Sequence, residues 1–474
     1  MFKCFTVNNY DIDFMTAIQL TRDEMPKAWY NILPDLPEPL PNPQDPSGEA
    51  LKKMQRYGIK ECLRQEFSTE NYVSIPEEIQ DLYEQVGRPR VLVRAERLER
   101  ALKLPPEIRM YYKGEFLSPT GSHKVNTALA QAYYAAKEGK ERLATETGAG
   151  QWGTALTFGA MLNGLDARVY WVRSVYDWKP ERKALMQLMG AEVLASPSNR
   201  TKVGRELLEK NPNHKGSLGI AISEGIEDAL TDEKSAYSLG SVLNHVLMHQ
   251  TVIGLETKKQ FEKVDEYPDY VISCLGGGSN FGGFALPFAG DVLKGKAPKK
   301  VKFIAAQSEA APNLSKGKYE YDFADHAEIT PQLKMLTLGH QKEMVPIKGD
   351  GLRYHAAAPV ISFLKEKCRM IESIAYPANE KYVFERAKFF IQSEGVFPAP
   401  ESSYSVACAI DQALECKNEW EKGNYTWEER VIAFNVSGHG LLDTGGFSEV
   451  LGEKINSRVY LEDLLKTLAP TPLK

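Results

Sequence analysis

The sequence predicts an α/β protein built on parallel sheet covered on both faces, and three observations carry that reading. After residue 90, strand-like and helix-like stretches alternate along most of the chain, the pattern of repeated strand–helix–strand units. Several strand-like runs, among them ARVYWVRS, DYVISCL and RVIAFNVSG, are apolar almost throughout, as strands covered on both faces are. No motif recurs at a period of about 20–50 residues, which argues against solenoids and propellers. A chain of 474 residues is long for one domain, at roughly 100–200 residues each. We read an N-terminal arm over 1–60, an α/β block over 61–250 and a second over 251–474.

The elements follow in order. MFKCFTVNNYDIDFM has polar residues every few positions and no apolar core, so it is not read as a signal peptide. LPDLPEPLPNPQDPSG, residues 33–48, holds six prolines, which exclude helix and central strand and predict an extended arm over the body. Trp29 and Tyr30 just before it would anchor the arm or form a subunit contact. VLVRAERLERAL passes from strand to helix, and IRMYYKGEF is β-rich. NTALAQAYYAAKEGK places Ala128, Leu129, Ala132 and Ala136 at helical spacing, with Ser122 as N-cap and Gly139 as the stop. Then come the strand RLATE, the helix TALTFGAMLNG closed by Asn163-Gly164, the strand ARVYWVRS, the helix ERKALMQLMG and the strand AEVLAS. DYVISCL, VKFIAAQSE and RVIAFNVSG complete the set. Ligands of open parallel sheets sit at the carboxyl ends of strands, so the segments that follow these strands are the candidate site.

Composition removes several functions. Lys and Arg number 58 against 63 Asp and Glu, a net charge of −5, too balanced for a basic nucleic-acid surface. Hydrophobic residues make up 43% and charged residues 26%, the balance of a globular chain. The cysteines at 4, 62, 274, 368, 408 and 416 form no CxxC pair, so a zinc ribbon and a dithiol redox pair drop out. Scattered thiols predict a reducing compartment, hence the cytoplasm. No stretch reaches eighteen unbroken apolar residues, the length a membrane helix needs.

Four motifs carry chemistry. Ser118-Pro119-Thr120-Gly121-Ser122-His123-Lys124-Val125-Asn126 sets a lysine at the start of an Ala-rich helix, where the positive end of the dipole disfavours its charge. Such a lysine suits a Schiff base with an aldehyde cofactor; a solvated lysine in the first turn is the plain alternative. Gly276-Gly277-Gly278-Ser279-Asn280 follows DYVISC directly. Its backbone N–H groups, with those of the next helix, make a phosphate cradle without a basic side chain. Glu146-Thr147-Gly148-Ala149-Gly150-Gln151-Trp152-Gly153 fits GxGxxG but lacks the acid about 20 residues on that a dinucleotide site wants. A nest of N–H groups for a carboxylate, with Glu146 beside it, reads equally well. Asn435-Val436-Ser437-Gly438-His439-Gly440 ends the last apolar strand; Ser437 would meet a heteroaromatic nitrogen or cap a turn, and Asn435 excludes GxSxG. His245 and His249 share a helix face but lack a third ligand, so they are read as packing or hydrogen-bonding residues. Pyridoxal phosphate reconciles the four: cradle, lysine, carboxylate nest and ring-nitrogen partner.

The same segments resemble the tryptophan synthase beta chain family, above all its longer second subfamily. The similarity spans KAWYNILPDLPEPLP, SPTGSHKVNTA, TETGAGQWG, CLGGGSNFGG, LKMLTLGH, GLRYHAAAP, EGVFPAPES and NVSGHG. The resemblance implies a fold-type II pyridoxal phosphate enzyme: two three-layer α/β/α domains with the active site between them, assembled as a homodimer. It implies a lyase that replaces the hydroxyl of L-serine with indole to give L-tryptophan. Lys124 would hold the cofactor and remove the serine Cα proton, with His123 and Asn126 beside it. Gly276, Gly277, Gly278, Ser279 and Asn280 would hold the phosphate; Thr147, Gly148, Ala149, Gly150 and Gln151 the substrate carboxylate. Glu146 would assist loss of the hydroxyl and steady charge on indole. Glu394 would lie near the cofactor ring, and Ser437, with Gly438, would meet the pyridine nitrogen; a neutral hydroxyl there favours loss of the β-group over transamination. The resemblance also implies an activating monovalent cation on backbone carbonyls, a segment near 139–225 that moves over substrate, and a docking alpha subunit that the N-terminal extension would hinder.

Departures from the family pattern are Gly87-Arg88-Pro89-Arg90-Val91-Leu92 for GRPTPL, Tyr404 for a usual histidine, and Leu441-Leu442-Asp443 for HFD. They leave open a serine or threonine deaminase, or a replacement using O-phosphoserine or another acceptor.

Overall fold

The computed structural model of the protein describes residues 17–423, 425–467 and 469–470; the segment MFKCFTVNNYDIDFM, with Cys4, lies outside them. Two sheets organise the chain. The smaller has four parallel strands in the order Glu192–Ser196, Asp166–Val172, Arg142–Thr147, Ser235–Tyr237. The larger has seven, in the order Ala17–Ile18, Leu92–Arg94, Ile108–Lys113, Arg430–Asn435, Tyr270–Cys274, Lys302–Ser308, Ile371–Tyr376. Its last five are mutually parallel, and the first two add an antiparallel edge. The smaller sheet falls wholly within 142–237, whereas the larger takes strands from both sides of residue 250. Periodicity identifies most of these strands but misses Ala17–Ile18, Ser235–Tyr237 and Ile371–Tyr376, and it does not give their neighbours: Ile108–Lys113 pairs with Arg430–Asn435, near the other end of the chain.

The unbroken apolar runs are explained by two cores, one on each face of the larger sheet. Val271, Val431 and Ala433 pack into a core with Phe281 and Phe284. Ile272, Ile432 and Phe434 pack into the other, with Val406 and Ile410. Successive strand residues point to opposite faces, so a strand covered twice needs apolar residues at every position. Each such side chain contributes about 1.5–3 kcal/mol when fully buried.

The proline-rich arm is laid over the body as its composition predicts. Gln44 exchanges backbone hydrogen bonds of 2.9 Å with Gln332, and Asn42 O accepts from the Tyr321 hydroxyl at 3.1 Å. Trp29 and Tyr30 lie in the core: Trp29 Nε1 donates to Tyr83 Oη at 3.2 Å, and that hydroxyl donates to Asn126 O at 2.9 Å. The departure around Arg88 is buried too. Arg88 lies between Glu115 (3.0 Å) and Glu256 (2.9 Å), and Lys113 reaches Glu256 at 2.8 Å, all fully buried. Arg90 Nη1 donates to Gly87 O at 2.9 Å. No helix among the described residues is long and apolar enough to cross a membrane.

Candidate active site

Loops at the carboxyl ends of strands from both sheets meet in one cleft. It is lined by Lys124, Glu146, Gly148, Gly276 to Ser279 and Ser437, so all four sequence motifs converge there.

Lys124 stands at the N-cap of the helix Val125–Lys137, and its amine has no hydrogen-bond partner among the described residues. Burial pushes its pKa below the usual lysine value, against the raising effect of Glu146 and Glu401. Ser122 is not the expected N-cap. Its backbone N–H donates to Ser118 Oγ at 2.8 Å, and its own buried hydroxyl has no partner among the described residues. The Pro/Gly turn is closed by Ser118 instead, four residues earlier in the same motif. Gly139 does stop the helix, at φ 75°. His123 Nε2 lies 3.4 Å from Ser279 Oγ; burial, followed by the Lys124 charge, lowers its pKa to about 3.

The glycine turn has no space for side chains. A Cβ on Gly276 would lie 2.3 Å from Gly351 O, and one on Gly277 2.9 Å from Ser241 Oγ. The N–H groups of Gly276, Gly277 and Gly278 meet no acceptor among the described residues, and the helix Ser279–Leu293 begins immediately after them. Unsatisfied donors at a helix N-terminus suit a phosphate. The unpartnered lysine in the same cleft suits an aldehyde, so the residues present fit pyridoxal phosphate. Asn280 departs from expectation: its side-chain amide donates to Ser273 Oγ at 2.7 Å and its oxygen accepts from Asn435 at 2.6 Å. It ties strand to helix rather than offering its side chain to the cradle.

The GAGQWG turn is a nest. Gly150 has φ 91° and precedes the helix Gln151–Leu162; a Cβ there would meet the Trp171 ring at 2.6 Å. The N–H groups of Gly148, Ala149 and Gln151 meet no acceptor among the described residues, whereas Thr147 is occupied, its Oγ1 accepting from Gly153 N–H at 3.1 Å. Glu146 is 4% exposed. Burial raises its pKa to about 7, although the hydrogen bond from the Tyr237 hydroxyl opposes the rise. Tyr237 also lines an apolar cavity with Met54, Tyr57, Ile59, Cys62 and Leu243. Glu146, in the polar cleft, is thus linked through Tyr237 to an apolar cavity.

Ser437 Oγ lies 2.7 Å from Ser402 Oγ, which accepts the Gly438 N–H at 2.9 Å. Ser402 thus holds both residues of the turn, with Gly438 behind Ser437. Two acids of the cleft were not singled out in the sequence. Glu401 Oε2 accepts from Gln151 Nε2 at 3.0 Å and its Oε1 accepts Gly351 N–H at 2.9 Å. Asp350 accepts from Arg353 Nη1 at 2.8 Å; burial raises its pKa to about 6. The available signals were an acid between two glycines, in KGDGL, and an acid opening a helix after proline, in PAPES.

Two expected cofactor residues lie elsewhere. Glu394 accepts the Leu98 N–H at 2.7 Å and caps the helix Glu96–Ala101; the acid at the cleft is Glu401, one helix later. Asn126 faces the buried ion network, accepting from Arg88 at 2.9 Å and donating to Gln250 at 3.0 Å. His245 and His249 are hydrogen-bonded, to Glu66 at 2.9 Å and to Gln65 at 2.6 Å, and no metal-holding group of His, Cys, Asp or Glu occurs among the described residues.

Comparison with known proteins agrees with this geometry. Residues 83–433 match the family "Pyridoxal-phosphate dependent enzyme". The chain is 54% identical over 453 residues to the tryptophan synthase beta chain of Pyrococcus horikoshii, covering 95% of each chain. It is 54% identical over 459 residues to tryptophan synthase beta chain 2 of Pyrococcus furiosus, covering 96% of this chain and 97% of that one. Among solved structures it is similar to an L-serine ammonia-lyase from Rhizomucor miehei, with TM-score 0.55 and 14% identity over 76% of this chain and 97% of that one. Maize serine racemase gives 0.53 and 15%, over 80% and 97%; at such identities these two likenesses concern the fold alone. An unpartnered lysine, a glycine cradle and this degree of identity lead to one conclusion: the chain belongs to the pyridoxal-phosphate dependent enzymes, within their tryptophan synthase beta chain branch.

Proposed function

We propose that the protein replaces the hydroxyl of L-serine with indole, giving L-tryptophan and water. The observation that carries this reading is the hydrogen bond that joins Glu146, in the polar cleft, to Tyr237, which lines the apolar cavity. A deaminase has no need of an apolar space behind its acid; an aromatic acceptor does.

Pyridoxal phosphate, when bound, supplies an electron sink for the bond-breaking at the substrate Cα. The free N–H groups from Gly276 to Gly278 and the following helix N-terminus hold its phosphate, and neutral His123 sits beside them without adding charge. Ser437, held by Ser402, offers a neutral hydroxyl to the ring nitrogen. Gly148, Ala149 and Gln151 hold the substrate carboxylate through backbone donors. Lys124 takes the Cα proton, which its lowered pKa favours. Glu146, with a pKa near 7, gives a proton to the departing hydroxyl, and the resulting carboxylate steadies the positive charge that develops on indole. We further propose that the protein acts in the cytoplasm as a homodimer; the resemblance supports the dimer, and the free state of the described cysteines fits a reducing compartment.

The test is a product assay on purified protein loaded with pyridoxal phosphate. L-serine and indole are expected to yield tryptophan, and their failure to do so at saturating cofactor overturns the reading. Glu146→Ala is expected to lower tryptophan formation at least about 100-fold, the scale of general acid–base catalysis, while some deamination of serine survives.

A further inference from the structure

We propose that Glu380 and Tyr404 are positioning residues that clamp the loop from Lys348 to Leu352 so that Asp350 faces the amino-acid substrate. What Asp350 faces rests on the function proposed above; the clamp itself does not.

Glu380 lies outside the cleft, at the N-cap of the helix Lys381–Glu394, with φ 58°. A non-glycine residue persists at such an angle only where its surroundings over-determine it, and here its side chain is fully engaged. One carboxylate oxygen accepts the Lys348 N–H; the other accepts the Gly349 N–H at 2.9 Å and the Tyr404 hydroxyl at 3.2 Å. Both side chains are buried. On the far side of Asp350, the Gly351 N–H is held by Glu401 at 2.9 Å. The backbone on either side of Asp350 is thus fixed by two carboxylates. Gly349 is confined as well: a Cβ there would lie 3.2 Å from Glu380 Oε1 and 3.3 Å from the Tyr404 ring.

The consequence appears at Asp350. Its Oδ1 is taken by Arg353 at 2.8 Å, while its buried Oδ2 has no hydrogen-bond partner among the described residues and lies 3.8 Å from Lys179 Nζ. Asp350 lines the same cleft as Lys124 and Glu146. A free carboxylate oxygen on a clamped loop is an acceptor for a hydroxyl or ammonium group of the substrate. Tyr404, where the family resemblance gives histidine, donates to the clamp, so this departure preserves a donor at that place.

Glu380→Gln tests the idea, because an amide offers one acceptor oxygen to the two N–H groups that converge there. In cofactor-free protein, amide exchange at Lys348 and Gly349 is expected to quicken about tenfold or more, the scale of one lost charge-assisted bond. In the loaded enzyme, KM for serine is expected to rise about tenfold with kcat within about threefold, as for lost substrate positioning. Tyr404→Phe is expected to shift both readouts the same way by less, and Tyr404→His to restore them; these variants serve if Glu380→Gln does not fold. Unchanged exchange at Lys348 and Gly349, or a fall in kcat at unchanged KM, overturns the proposal. Exchange in cofactor-free protein is independent of the reaction, so absence of tryptophan synthesis would sink the functional reading and leave the clamp standing.

Discussion

Glu146 shows how burial sets chemistry at the scale of one residue. Its carboxyl is moved from 4.5 to about 7, so the folded protein keeps a proton that the unfolded chain releases earlier. Below about pH 4.5 both states are protonated and the group costs no stability; above about pH 7 both are ionised and its full cost, on the order of 3 kcal/mol, is present. Relative to wild type, Glu146→Gln is therefore expected to gain stability as pH rises through that window and to hold a constant advantage above it. Urea unfolding of the cofactor-free proteins across pH measures the difference, and a gap that does not change with pH contradicts the burial account. The residue itself was legible in the sequence, beside a glycine turn at a strand end. Its pKa was not, because its burial depends on packing against distant parts of the chain such as Tyr237, on a later strand. Glu401 and Asp350 escaped for a similar reason: an acid after a proline or between glycines is a common surface pattern until the fold turns it inward.

At the scale of elements, the turns were legible and their partners were not. GGGSN announced a cradle because three glycines after an apolar strand have few other uses. Only the fold shows that Gly276 must be glycine on account of Gly351, in a distant loop. Gly276→Ala is expected to weaken cofactor affinity at least about tenfold, since a backbone contact of 2.3 Å forces the cradle open. Fluorescence titration with pyridoxal phosphate measures it, and far-UV circular dichroism confirms that the variant is folded; undiminished affinity contradicts the cradle. The motifs around Asn126 and Glu394 point to the cofactor, but motifs place residues along the chain, not around a helix. Asn126 is only two residues beyond Lys124, yet the helix turns it to the Arg88 network. Spacing within a motif is weak evidence for which face a side chain occupies.

For the whole molecule, alternation of strand and helix was enough to give the class, since parallel strands need crossover helices. Strand order was beyond it: the pairing of Ile108–Lys113 with Arg430–Asn435 is settled by packing between distant segments. The buried network of Arg88, Lys113, Glu115 and Glu256 joins such segments. Removing one member strands charges in the interior, so Arg88→Met is expected to cost about 3–5 kcal/mol in denaturant unfolding of the cofactor-free protein; a change below about 1 kcal/mol would mean the network carries no such weight. The proposed chemistry requires Lys124 to be the side chain that carries the cofactor. Borohydride reduction of the loaded enzyme, followed by peptide mass mapping, identifies that side chain directly. The expected result is a single pyridoxyl-phosphate adduct on the peptide containing Lys124, absent from Lys124→Ala. An adduct on another lysine, such as Lys179 near Asp350, with Lys124 unmodified, would contradict it.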